Sequence, residues 1–284
     1  MKIAPIGGLR ERKAIGVARE AHSRTDRLVC GRRPSGGLAD RQKLGRERPH
    51  CLSVLPMIVT LLGQKGGIGK STTAICLAMA AFERGSSVLL VDADPQGTVR
   101  TWSEVASENG VSAPTVVAMG AAMHRPGQLD VVARGYDLTL IDCPPRHGDV
   151  QRSSLMIADV ALLPCGPSAA DAWALTASLD LVTEARSMRE SLNACIVLTR
   201  KQGRTVLGKG ARAVLVQSGL GVLDAELSYR VSYQEALAAG SGVTQYCPRD
   251  PAAREVRSLL DELERFANVE KISGCFPAQA RTAG

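Results

Sequence analysis

The sequence predicts a doubly wound α/β fold with a mostly parallel sheet. Short continuous apolar runs rich in β-formers alternate with helical segments, the pattern of strands buried on both faces by crossover helices. A glycine-rich turn lies between the first such run and the first helix. In sheets of this kind ligands sit at the carboxyl ends of the strands, so the loops that follow strands are where chemistry is expected.

The runs Met57–Leu62, Val88–Val91, Thr115–Ala118, Leu138–Ile141, Val160–Leu163 and Cys195–Thr199 read as strands. Helical stretches fall near residues 70–84, 98–109, 151–158, 169–189 and 205–217, and an amphipathic helix near 251–267 closes the pattern. These elements define one domain over 57–267, with 268–284 expected as a flexible tail. Residues 1–56 are rich in Arg and Gly and show no sustained period of 2 or 3.6. They read either as a basic arm touching nucleic acid or as a disordered extension, which could be an upstream addition preceding a start at Met57. The extension is the reading adopted.

Charge supports that division. Residues 1–56 hold 13 of the 35 Lys+Arg and 5 of the 28 Asp+Glu, which leaves 22 basic against 23 acidic residues for the remainder. The alkaline balance therefore belongs to the N-terminal segment. The longest apolar stretch, Ala74–Phe82, is nine residues and too short to span a bilayer, and residues 1–20 lack the apolar core of an export signal. Eight cysteines without a C-x-x-C pair, several inside apolar runs, read as small buried hydrophobes in a reducing cytoplasm.

The first strand leads into Gly63-Gln64-Lys65-Gly66-Gly67-Ile68-Gly69-Lys70-Ser71-Thr72-Thr73 and then a helix. Glycines allow a backbone to approach a triphosphate closely, and the N–H groups of a helix start supply donors and a positive dipole end. Lys70 can reach the β and γ phosphates, and the Ser71 hydroxyl suits Mg²⁺. The fold class is thus of the P-loop NTPase type. The usual G-x-x-x-x-G-K-[ST] spacing would put a glycine where Gln64 stands, and an extra lysine occupies position 65.

Lys65-Gly66-Gly67-Ile68-Gly69-Lys70-Ser71 resembles the deviant Walker A motif, KGGxGK[ST], of the ParA/MinD family of ATPases. The resemblance implies that Lys65 acts in trans, across a nucleotide-sandwich homodimer, and Lys70 in cis. Val91-Asp92-Ala93-Asp94-Pro95-Gln96-Gly97 matches the family's DxDPQG element, which makes Asp94 the residue that positions or activates the attacking water. It leaves Asp92 as an outer neighbour of the metal. Asp142-Cys143-Pro144-Pro145 looks like the Walker B variant DxPP, so Asp142 would hold Mg²⁺ through water, together with Ser71. Pro167-Ser168-Ala169-Ala170-Asp171 resembles the family's PSxxD loop, Val197–Arg200 lies where relatives enclose adenine, and Tyr229-Arg230 matches a nucleotide- and dimer-facing stretch. Thr72, Thr199, Arg200 and Arg230 join Gly66–Ser71 as expected nucleotide contacts. Trp102 and the compact length from Met57 place the small plasmid-partition, ParF-like type nearest.

What the resemblance implies is an ATP-hydrolysing dimerisation switch for plasmid or chromosome partitioning. It would use ATP and Mg²⁺, a centromere-binding ParB-like adaptor that stimulates turnover, and nonspecific DNA, in the cytoplasm and on the nucleoid in the ATP state. Arg200, Lys201, Arg204, Lys209 and Arg212, five basic residues in 13 with no acidic one, form the candidate DNA surface. A membrane-positioning role is disfavoured, because the last helix mixes Glu255, Asp261, Glu262 and Glu264 with Arg254, Arg257 and Arg265. ParA-like positioning of another cargo (T-DNA transfer, polar or organelle positioning) and a P-loop metabolic ligase stand as alternatives.

Overall fold

The structure is a computed structural model, and it describes residues 56–203 and 205–273. The expectation of a disordered extension over 1–56 falls almost wholly outside those residues, as does most of the expected tail. The chain runs β1 (Met57–Leu61), α1 (Lys70–Glu83), β2 (Val88–Asp92), α2 (Thr98–Glu108), β3 (Thr115–Ala118), α3 (Leu129–Val132), a 3₁₀ turn (Ala133–Gly135) and β4 (Leu138–Asp142). It continues with α4 (Gly148–Ile157), β5 (Val160–Cys165), α5 (Ala169–Met188), β6 (Asn193–Lys201), α6 (Val206–Val216), β7 (Gly221–Ser228), α7 (Val231–Ala238), α8 (Val243–Tyr246) and α9 (Pro251–Ser273). The seven strands form one sheet in the order β3-β2-β4-β1-β5-β6-β7, and every pairing is parallel.

Alternate residues along a central strand enter different cores, as the two-residue period requires. Leu138 and Leu140 of β4 pack with α1 and α9 on one face, whereas Ile141 packs with Met123 and Leu129 on the other. In β5, Val160 and Leu162 join the first core while Ala161 and Leu163 join α5 and α6. Each of these apolar side chains is almost fully excluded from solvent, and burying a Val, Leu or Ile contributes about 1.5–3 kcal/mol. Helix α1 has an Ala-rich run, Ala74–Ala81, that is wholly buried between the sheet and α9. Its small side chains let the helix start close to the strand ends, where the phosphate loop must sit.

Strand β7 was not among the expected elements. Its register is nonetheless written in Leu223-Asp224-Ala225-Glu226-Leu227, where Leu223, Ala225 and Leu227 are buried and Asp224 is exposed. As the sheet's last strand it is polar on one face and lacks the continuous apolar run of the central strands. The short helices α7 and α8, and α3, give too few turns for a periodic signal. Helix α9 runs to Ser273, six residues beyond the expected end and into the stretch read as tail. Among the described residues no helix is long and apolar enough to cross a membrane.

Candidate functional site

The registers of three adjacent strands assemble the site. Leu61 at the end of β1 pairs with Asp142 at the end of β4, and Asp142 pairs with Asp92 at the end of β2. The glycine-rich loop after β1, the Asp92–Asp94 turn after β2 and the Asp142 loop after β4 therefore lie side by side. Strands β4 and β5 flank β1, so the site sits where the chain reverses its direction of travel across the sheet, the expected ligand crevice.

The loop is shaped by steric demands at two glycines. A Cβ on Gly63 would collide with the Ile68 side chain, and Gly69, with φ 95°, holds a left-handed conformation that closes the loop onto α1. Gly66 and Gly67 leave open space where any side chain would begin. No side chain caps the α1 N-terminus, so the first N–H groups of a 14-residue helix remain available to an anion.

The two lysines of the loop differ in kind. Lys70 is buried, at 6% exposure, and its Nζ donates to the Lys65 carbonyl oxygen at 3.3 Å. Burial lowers its pKa, and the carboxylates of Asp142 and Asp94 oppose that shift. Lys65 instead turns away from the loop, and its Nζ meets Asp171 Oδ1 at 2.6 Å with the side chain 39% exposed. Asp171 is itself fixed by a capping box at the start of α5, where Ser168 Oγ accepts from the Asp171 N–H and the Asp171 side chain accepts from the Ser168 N–H. Burial pushes the Asp171 carboxyl up, but the bonds from Lys65 and Ser168 outweigh it and hold the group below the usual carboxylate range.

Asp142 is fully buried, and neither of its carboxylate oxygens receives a hydrogen bond of normal geometry from a described residue. Burial pushes its carboxyl up to about 7, although the nearby Ser71 hydroxyl and Lys70 ammonium favour the charged form. An orphaned buried carboxylate beside a serine hydroxyl and an ammonium is a fitting donor set for a hard divalent cation that also takes phosphate and water oxygens. The sign of the pH effect follows. Between the ordinary carboxylate range near pH 4 and pH 7 the folded chain keeps a proton that the unfolded chain has released. The stability of the nucleotide-free protein therefore falls as pH rises through that window. Asp142→Asn should remove this group's share of the slope and stabilise the metal-free protein at pH 8 by roughly 2–4 kcal/mol in denaturant titrations. A destabilised variant would show that the charge is already compensated.

Asp92 and Asp94 play different parts. Asp92 Oδ1 accepts from the Asp94 N–H at 3.1 Å, and its Oδ2 accepts from the Arg100 N–H and Nε at 3.0 and 3.3 Å. Its oxygens are thus engaged within its own turn, which gives Asp92 a scaffolding place there. Asp94 is partly exposed at the strand end, and its carboxylate accepts only from the Gln96 N–H, at 2.9 Å, among the bonds found.

Thr199 and Arg200, at the end of β6, close the other side of the loop. Thr199 Oγ1 donates to the Ile68 carbonyl at 2.8 Å, and Arg200 Nη1 donates to the Gly67 carbonyl at 2.8 Å. With Thr72, Tyr229 and Arg230 they line a cleft of about 270 Å³. Arg230 is held at its edge by Glu255 of α9, at 2.7 Å. The expected nucleotide contacts Thr72, Thr199, Arg200 and Arg230 are thus brought together around the loop. Tyr229, expected as part of a nucleotide-facing stretch, also lines the cleft; missed by the sequence reading were Gln234 as a lining residue and Asp171 as the partner of Lys65. The capping-box spacing Ser168-x-x-Asp171 was visible, but its link to Lys65 spans 106 positions.

Of the five basic residues expected to face DNA, the three with described side chains all have acceptors within the chain. Arg200 is tied to the loop, Lys201 pairs with Glu226, and Arg212 donates to the carbonyls of Val222 and Leu223 and to Asp224 at 2.6 Å. Arg212 fastens α6 to β7, a strand that the reading of this segment did not include. Arg204 and the Lys209 side chain lie outside the described residues.

Residues 59–243 match the model of the CobQ/CobB/MinD/ParA nucleotide binding domain. The chain belongs to this family. Among its relatives, maintenance of carboxysome distribution protein A of Halothiobacillus neapolitanus is 30% identical over 201 residues, covering 70% of this chain and 92% of that protein. The chromosome-partitioning ATPase Soj of Thermus thermophilus is 30% identical over 239 residues, covering 72% and 94%. The septum site-determining protein MinD of Pyrococcus horikoshii, solved with Mg-ADP, superposes with a TM-score of 0.57 at 20% identity, covering 75% of this chain and 98% of that one. The CobQ/CobB/MinD/ParA domain accounts for the parallel sheet, the phosphate loop and the two carboxylate loops as one nucleotide-binding unit.

Proposed function

We propose that this protein is an ATP-hydrolysing switch that self-associates with ATP and Mg²⁺ bound, separates after hydrolysis, and so partitions or positions a large cargo. The observation that carries the reading is the divergence of the two loop lysines. Lys70 is buried inside the phosphate loop, whereas Lys65 is half-exposed and leaves its own loop to meet Asp171. A cation that does not serve its own loop, yet sits at that loop's rim, is suited to the phosphates of a second copy. The relatives support a cargo role, since one is named for carboxysome distribution and another for chromosome partitioning.

In this reading the loop N–H groups and Lys70 hold the β and γ phosphates, and Thr199, Arg200 and Arg230 border the base and sugar. Ser71 and Asp142 would hold Mg²⁺, which neutralises phosphate charge as the γ-phosphoryl group departs. Asp94 orients the water. Hydrolysis removes the group that links two subunits, and Lys65 returns to Asp171. A DNA-bound adaptor of the ParB kind would stimulate the step, and the ATP dimer would engage DNA nonspecifically.

The test is Lys65→Ala in the full chain. Affinity for a fluorescent ATP analogue should stay within about threefold of the parent, since Lys65 is not in its own loop. ATP turnover should fall about 100-fold or more, as for loss of a charge-stabilising donor. Parental turnover in the variant would remove the trans role. A metabolic ligase within the same family would instead convert a metabolite and show no dependence on a second copy.

A further inference from the structure

We infer that Gln151 is a positioning residue that locks the phosphate loop to the Asp142 loop and so sets the readiness of the site for a divalent cation. The inference rests on the nucleotide-binding reading of the site and adds a residue to it.

The usual motif has glycine where this chain has Gln64. That side chain has a definite destination. Gln64 Nε2 donates to Gln151 Oε1 at 2.7 Å, and Gln151 Nε2 donates to the Pro144 carbonyl oxygen at 2.8 Å. Gln64 adjoins Lys65, and Pro144 lies two residues after Asp142. One fully buried amide on α4 therefore joins the two loops that would share a bound Mg²⁺–nucleotide. The direction of both bonds is dictated by chemistry. A proline carbonyl can only accept, so Gln151 must offer its NH₂ there, and its remaining oxygen then requires the NH₂ of Gln64.

The helix that carries Gln151 is anchored to the same strand ends. Ser154 Oγ donates to the Gln151 carbonyl at 2.8 Å, Thr60 Oγ1 of β1 donates to Ser154 Oγ at 2.9 Å, and Cys143 Sγ lies 3.1 Å from that hydroxyl. Thr60, Cys143 and Ser154 are all buried. The network thus spans β1, the phosphate loop, α4 and the Asp142 loop with each central polar group satisfied, the condition under which a buried network rigidifies a site. Asp142 itself has no such support for its carboxylate oxygens, so the backbone around it, gripped through Pro144 and Cys143, is what fixes its position.

The experiment uses the full chain and a fluorescent ATP analogue, titrated with Mg²⁺. The quantity read is the Mg²⁺ concentration at half of the metal-dependent change in affinity. Gln151→Ala should raise that midpoint about tenfold, the scale on which partners of metal ligands act, while metal-free affinity for the analogue stays within twofold. Gln64→Ala, at a partly exposed position that leaves the fold intact, should shift the midpoint in the same direction. Gln151→Met, similar in length but without a donor for Pro144, should behave as Gln151→Ala. The double variant Gln64→Ala/Gln151→Ala should be no worse than Gln151→Ala, because both act through one chain of bonds. An unmoved midpoint in Gln64→Ala and Gln151→Met, or single effects that multiply in the double variant, would overturn the inference. Because the readout is binding, it stands apart from the switch: a protein that shifts its midpoint as stated but never hydrolyses ATP would sink the proposed function alone.

Discussion

Lys70→Ala should abolish nucleotide binding, with affinity for ATP falling at least about 100-fold. The side chain is a buried cation at the site, and among the described residues the Lys65 carbonyl alone accepts from it. Two carboxylates, Asp142 and Asp94, are near enough to act on its ionisation. Without Lys70 an incoming triphosphate would meet those carboxylates in a poorly solvated crevice with one compensating charge removed. Hydrogen bonds to charged groups are worth about 1.5–3 kcal/mol each, and more than one would be lost. At about 1.4 kcal/mol per factor of ten, that exceeds a 100-fold change. Titration with a fluorescent ATP analogue reads the effect, and retained affinity within threefold would mean that phosphates do not bind at this loop. The fold itself should tolerate the change, since removing a buried ammonium also removes its desolvation cost.

Asp94→Ala should separate binding from turnover. Its carboxylate projects, partly exposed, from a turn that is shaped by other groups: Asp92 takes the Asp94 and Arg100 N–H groups, and Gly97 supplies the positive φ of 69° that lets the chain enter α2. Removing the carboxylate therefore leaves the turn intact. Positioning a water by a general base is worth about 10²–10⁴-fold in rate, so steady-state phosphate release should drop by at least about 100-fold. Affinity for ATP should change by no more than a few-fold, and it should tighten slightly because one negative charge near the γ-phosphate is gone. Turnover at the parental rate would transfer the water-positioning role to another group.

The placement of the phosphate loop and the two carboxylate loops was legible because each is local in sequence. A strand, a glycine-rich turn and a helix start follow one another within 57–73, and each carboxylate loop directly follows its own strand. Less legible were links that exist only once the sheet order is known. Lys65 reaches Asp171 and Gln64 reaches Gln151 because β1 is flanked by β4 and β5. The resemblance separated the two lysines, but nothing in a stretch of seven loop residues names Asp171 as the group that Lys65 meets. The pairing of the basic cluster at 200–212 was hidden for a related reason. Charge was read along the chain, but β7, an outer strand with only alternating apolar residues, supplies Glu226, Asp224 and two carbonyls that engage Lys201 and Arg212.

In the proposed reading, the burial of Asp142 and the contact of Lys65 with Asp171 are the two features that nucleotide and a second copy would use. The Asp142 oxygens have no hydrogen-bond partner among the described residues, and Lys65 pairs with Asp171. Nucleotide with Mg²⁺ would resolve the first, and a second copy would use the other. The state of association should therefore follow the γ-phosphate.

Sedimentation velocity of the full chain, with Mg²⁺·ADP and then with Mg²⁺ and a non-hydrolysable ATP analogue, tests that claim most directly. The account predicts a monomer with ADP and a dimer with the analogue, and no dimer for Lys65→Ala under either condition. A single species that is indifferent to the γ-phosphate would contradict it.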